Sequence, residues 1–154
     1  MGVSGCGKST ISAELAKKLQ WQFKDGDSFH PPENIDKMRS GIPLTDSDRF
    51  PWLRIINSFA KANPRHVIAC SSLKKSYREV LSEGINAKFF LLDIKKEILE
   101  KRVFSRPGHF MPAGLLDSQL ATLELPGPSE PNVFIVDAGT DNVEDIVSII
   151  CADL

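Results

Sequence analysis

Apolar positions along this 154-residue chain alternate between two regimes. Short β-branched, aromatic or aliphatic runs, near residues 22–25, 67–70, 88–92 and 133–136, read as strands. Between them, apolar residues recur every three or four positions, the spacing that lines one face of a helix. Ile11, Leu15 and Leu19 share such a face, which predicts a first helix that starts inside a glycine-rich run and ends near residue 19. Further helices are expected at 33–40, where Gly41 and Pro43 stop the pattern, and at 47–62, 74–82, 95–105, 114–123 and 142–151. Trp52 and Leu53 fall on a core face, and Pro126, Pro128 and Pro131 stiffen the connector before the last strand. Strands alternating with helices predict an α/β fold, a mainly parallel, doubly wound sheet covered by helices in three layers.

The glycine-rich run is the first candidate for chemistry. Residues 2–9, GVSGCGKS, satisfy the spacing G-x-x-x-x-G-K-S/T, and Thr10 continues into the helix. Glycines at 2, 5 and 7 let the backbone curl so that N–H groups point at phosphate oxygens, and the helix N-terminus adds partial positive charge. Gly2, Val3, Ser4, Gly5, Cys6, Gly7, Lys8, Ser9 and Thr10 are therefore expected to cradle the phosphates of ATP. Lys8 would span the β- and γ-phosphates and Ser9 would face Mg2+. Cys6 is either a passive loop residue or a thiol activated by the helix terminus, whose oxidation would block the cradle. Only Met1 precedes Gly2, whereas such a loop normally follows a buried central strand. The expectation is a fold whose first central strand is missing from this chain, through truncation or a start at an internal methionine.

The strand at 22–25 ends in Asp25, and Asp27 follows Gly26, so two carboxylates stand at the carboxyl edge of the sheet, where open α/β folds bind ligands. Asp27 is assigned the proton of an acceptor hydroxyl, and Asp25 the hydration shell of the metal. The strand at 67–70 runs on into Ser71 and Ser72, so it offers no metal-holding Asp. A turn and a helix cap are the other roles open to the pair. His30, Lys37, Arg49, Lys74 and Arg78 are candidate donors to an anionic, polyhydroxylated substrate. Arg49 and Arg78 are the leading contacts for its carboxylate, because a guanidinium holds that group with a two-pronged fit. His30, preceding Pro31, either bonds a sugar hydroxyl or is structural. Arg102 and Arg106 flank a basic, proline-bounded segment with the character of a lid, about 106–113, that would bring arginines to ATP on closure. His109 and Phe110 would close over the nucleotide or brace that lid, and 138–142 is a plausible adenine-side loop.

A net charge of −1 gives no electrostatic footprint for nucleic acid, and the apolar runs are too short to span a membrane. Cys6, Cys70 and Cys151 lack metal-ligand spacing and are odd in number, which fits reduced thiols and a cytoplasmic setting. The length predicts one domain over residues 1–154, and the phosphate cradle with its acidic pair reads it as a P-loop kinase domain.

The segments MGVSGCGKST, DGDSFHPPENIDKMRSGIPLTDSDRFPWL, ACSSLKKSYREVL and RPGHFMP, in this order, closely resemble the bacterial-type thermoresistant gluconokinases, relatives of shikimate kinase. The resemblance spans nearly the whole chain and rests above all on the signature HPxxNxxKMxxGxPLxDxDRxPWL. It implies ATP-dependent phosphorylation of D-gluconate at the 6-hydroxyl, phosphate contacts from Arg102 and Arg106, and a homodimer. A kinase for a shikimate-like acid or a nucleotide, or an inactive nucleotide-binding form, is the alternative.

Overall fold

The structure, a computed structural model, describes residues 1–104, 113–139 and 142–154. The chain begins in the glycine run and enters α1 (Lys8–Leu19), then β1 (Gln22–Asp25), a 3-10 turn (Gly26–Phe29), α2 (Pro32–Arg39) and α3 (Asp46–Ala62). It continues through β2 (His66–Ala69), α4 (Lys75–Ser82), β3 (Phe89–Asp93), α5 (Lys96–Phe104), α6 (Ala113–Thr122), β4 (Val133–Asp137) and α7 (Val143–Ala152). Each expected element is present with ends close to those predicted. The 3-10 turn matches the turn and cap roles left open for Asp25 and Asp27. It forms because the Asp25 side chain accepts a hydrogen bond from the Asp27 amide, which tightens the chain just past β1.

All pairing is parallel. β1 lies against β2 with Gln22 opposite His66 and Asp25 opposite Ala69, and β3 against β4 with Phe89 opposite Val133 and Asp93 opposite Asp137. These are two separate two-stranded ribbons, and Met1 and Gly2 join them. The Met1 amine donates to the Phe90 carbonyl and Leu92 N–H donates to the Met1 carbonyl at 3.0 Å, the slanted pattern of a parallel bridge. Gly2 N–H donates to the Ser71 carbonyl, just beyond β2. Behind these two bridging residues the middle of the sheet is open. A cavity of about 610 Å³ lies there, lined by Leu15, Val67, Ile68, Phe89 and Phe90 among others. The expected gap at the central strand is thus a slot between β2 and β3.

Helices cover both faces. Ile11 and Leu15 of α1 pack with Ile146 and Ile150 of α7, Leu92, Val136 and Leu99. On the other side Trp52, Leu53 and Ile56 of α3 meet Tyr77 and Leu81 of α4. Burying each of these side chains contributes roughly 1.5–3 kcal/mol, so the two clusters hold the glycine run and the β1 edge in fixed relation.

Arg78 corrects an expectation. It is 2% exposed, and its Nε and Nη2 donate to Glu130 Oε1 and Oε2 at 2.6 and 2.9 Å, while Nη1 donates to the Ser72 and Leu73 carbonyls. The two-pronged carboxylate partner is Glu130 of the same chain, and its carboxyl is held below the usual range chiefly by those hydrogen bonds. Arg78 clamps α4 to the connector before β4.

Candidate active site

The glycine run curls as its composition requires. Gly5 has φ +85°, and a Cβ there would lie 2.7 Å from Val103 Cγ2, so the loop passes α5 where only hydrogen fits. The Val3 and Cys6 side chains turn into the core, at 3% and 0% exposure, and the Cys6 amide closes the curl on the Val3 carbonyl at 3.4 Å. Cys6 is therefore a packing residue, the passive of the two roles open to it, and its burial disfavours the other, an accessible thiol. Lys8 curls back over the loop and its ammonium donates to the Val3 carbonyl at 3.0 Å. Ser4 N–H donates to Gln119 Oε1 at 2.7 Å, so α6 braces the loop. Gln119 carries no motif, and its role emerges only from the packing of α6. Thr10 is exposed on the first turn of α1.

Ser9 Oγ donates to Asp25 Oδ2 at 3.1 Å, while Asp25 Oδ1 accepts from the Asp27 amide at 3.0 Å. Asp25 is thus both the cap of the 3-10 turn and the partner of Ser9. Two hard oxygens from different elements meet beside the phosphate cradle, a donor set that suits magnesium, which binds through one or two protein oxygens together with phosphate and water. Gly26 lets the turn sit close: a Cβ there would meet the Ala69 carbonyl at 2.7 Å, and Trp52 Nε1 donates to the Gly26 carbonyl at 2.8 Å. That anchorage directs Asp27 into the cleft, where its side chain is 72% exposed. The Asp27 carboxyl is pushed above its ordinary value, first by the desolvating protein around it and then by the Asp25 carboxylate, against the pull of Lys8 and Arg49. Its exposure in the open cleft tempers the desolvation, which exclusion of water would strengthen.

Arg49, on the first turns of α3, is 8% exposed; it stacks 5.7 Å above the Tyr77 ring and donates to the Leu44 carbonyl at 3.4 Å. Among the described residues no carboxylate pairs with it, although its charge acts on Asp27 and His30. A buried guanidinium is normally paired. His30 lies against Trp52, ring over ring at 4.0 Å, with its Nε2 3.8 Å from Asp27 Oδ1. Its pKa is lowered to about 4 by burial and then by Arg49, so at neutral pH the imidazole is uncharged.

Lys37 and Lys74 meet aspartates at the start of α3 rather than this group. Lys37 pairs with Asp48 at 2.7 Å and Lys74 with Asp46 at 2.8 Å, so both secure the start of α3. Arg102, near the end of α5, donates to the Ala138 carbonyl at 3.5 Å, where β4 ends. Arg106, with the rest of the expected lid segment up to residue 112, lies outside the described residues, as do residues 140 and 141 of the expected adenine-side loop. The sites brought together are Lys8, Ser9, Asp25, Asp27, His30 and Arg49. No helix among the described residues is long and apolar enough to cross a membrane.

A family model described as shikimate kinase matches residues 4–154. A gluconokinase of Gluconobacter oxydans is 49% identical over 140 residues, covering 88% of this chain and 79% of the relative. The thermoresistant gluconokinase of Escherichia coli is 45% identical over 142 residues, covering 89% and 81%. The crystal structure of a gluconokinase from Sinorhizobium meliloti 1021 superposes with a TM-score of 0.90 at 43% identity, over 99% of this chain and 87% of that one.

Proposed function

This chain belongs to the gluconokinases within the shikimate kinase family, and from that premise we propose that it transfers the γ-phosphate of ATP to the 6-hydroxyl of D-gluconate. The observation that supports this substrate most directly is Arg49, a buried cation without a carboxylate partner among the described residues, placed beside Asp27. A sugar acid supplies both missing groups, a carboxylate for the guanidinium and a hydroxyl for Asp27.

Each residue's part follows from its position. The backbone of residues 2–9 and the start of α1 receive the phosphates, and Lys8 sets its ammonium among them. Asp27 orients the 6-hydroxyl and takes its proton as the new O–P bond forms and the bond to the β–γ bridging oxygen breaks. A carboxylate with a raised pKa is the better proton acceptor for that step. Magnesium, held by Ser9 and Asp25, would supply neutralisation of phosphate charge. Arg102, and Arg106 from the adjoining segment, would complete the phosphate contacts, and Lys37 and Lys74 act on the substrate side by fixing the turn that carries Arg49.

A coupled assay offering gluconate, shikimate and nucleoside monophosphates in parallel with ATP tests the assignment. ADP release with gluconate alone is the expected result; turnover confined to shikimate or to a nucleotide would reject it.

A further inference from the structure

Asn34 is 3% exposed, and its amide nitrogen lies 3.0 Å from the Asp48 carbonyl oxygen and 3.2 Å from His30 Nδ1. A carbonyl oxygen only accepts, so the group that faces Asp48 is the NH2 of Asn34, and the orientation of the amide is settled. The second N–H of that nitrogen points at His30 Nδ1, which must then present a lone pair. In an uncharged imidazole the ring proton is left on Nε2.

The ring has little freedom to escape this arrangement. Its side chain is 3% exposed and lies within 14° of parallel to Trp52, whose own Nε1 is tied to the Gly26 carbonyl. Nε2 lies 3.8 Å from Asp27 Oδ1, beyond hydrogen-bond length. A donor there suits an oxygen seated to one side of the pair, within hydrogen-bond reach of both the imidazole and the carboxylate.

We propose that Asn34 is a positioning residue that locks His30 as its Nε2–H tautomer, and that His30 thereby offers a fixed, uncharged donor to a substrate oxygen bound beside Asp27. A hydroxyl that accepts from Nε2–H turns its own proton toward Asp27. Because the ring stays neutral, it leaves the basicity of Asp27 intact, which an imidazolium at the same place would depress. The substrate role rests on the sugar-acid reading of the cleft; the tautomer does not.

Nitrogen-15 NMR of the imidazoles in the intact chain tests the tautomer, with His30 identified by the resonances lost in His30→Gln. Nδ1 should read as unprotonated and Nε2 as protonated, both at neutral pH and at about pH 5.5, a unit below the ordinary imidazole value. In Asn34→Asp, which replaces the donor by an acceptor, the proton should move to Nδ1 or the ring should become doubly protonated. A wild-type His30 carrying its proton on Nδ1, or doubly protonated at pH 5.5, would overturn the proposal without recourse to any variant. Kinetics test the use of the donor. The KM for gluconate should rise about tenfold or more in His30→Phe, which keeps the stack on Trp52, and in Asn34→Asp, with the KM for ATP within about twofold. His30→Gln, whose amide nitrogen comes near the Nε2 position, should show a smaller rise in the gluconate KM than His30→Phe. An unchanged gluconate KM in His30→Phe would refute the donor role. Failure of the wild type to phosphorylate gluconate would sink the sugar-acid reading and its donor together, and the spectrum would still decide the tautomer.

Discussion

Arg49 and Arg78 are the same residue type at similar burial, and their surroundings give them opposite work. Arg78 has its carboxylate inside the fold, so Arg78→Ala should strand Glu130 and cost about 3–5 kcal/mol of stability in urea unfolding. Arg49→Ala strands no carboxylate among the described residues and should instead raise the KM for gluconate by roughly tenfold or more, with the KM for ATP little changed. A KM effect at Arg78 in a fully folded variant, with none at Arg49, would exchange these roles. Asp27→Asn keeps the shape of the 3-10 turn but removes the proton acceptor. Its kcat should fall by about 10²–10⁴ while ATP binding persists, and a normal kcat would dismiss Asp27 as the base. The pair Asp25 and Asp27 and the division of labour proposed for it were read from the sequence, but the geometry behind that division was not. It depends on which carboxylate oxygen reaches Ser9 and which amide folds back upon it.

The start of α3 is where element-scale order serves the site. Thr45 caps the helix, the Asp48 carboxylate returns to the Thr45 amide at 2.9 Å, and Lys37 reaches in from α2. Those bonds hold the Asp48 carboxyl down to about 2, so the box is ionised at any working pH. Asp46 joins Lys74 and Tyr77 in the same turn. Since Arg49 is on that turn, Thr45→Ala should do two things at once. It should lower stability by about 1 kcal/mol and raise the KM for gluconate, both read on one preparation. A loss of stability with kinetics untouched would mean that the cap does not orient Arg49. Lysines 37 and 74, expected as substrate donors, meet Asp48 and Asp46 in the fold, partners that charge near a signature does not record. Which aspartate each meets is decided by how α2 and α4 pack on α3.

Across the whole molecule the sheet is two parallel ribbons bridged by Met1 and Gly2 over a slot of about 610 Å³. An extended segment of about six β-branched residues placed ahead of Met1 has the length of a strand and continues the parallel bridge opposite β3. Thermal denaturation should show a higher midpoint for the extended chain, and equal midpoints would mean that the slot does not accept a strand. Global stability should also follow the His30 imidazole, which faces Arg49 and Asp27. Its folded pKa of about 4 is below the ordinary 6.5, so the unfolded chain takes up a proton that the native ring refuses. This contribution is fully present above about pH 6.5 and is lost as pH falls toward 4. About 3 kcal/mol disappears over that window in pH-dependent unfolding, and its absence in His30→Gln would assign it.

The sequence alone determined the alternation of elements, the phosphate cradle and the acidic edge beside it. Those features are local: periodicity fixes faces, and glycine spacing fixes what a backbone can do. The tertiary structure decided everything that depends on partners far apart in the chain. It gave Arg78 to Glu130, left Arg49 without a carboxylate among the described residues, buried Cys6, set Gln119 against Ser4 and placed Asn34 between Asp48 and His30. Hydrogen bonds and charge pairing are satisfied in space, across helices whose packing angles no run of residues encodes by itself.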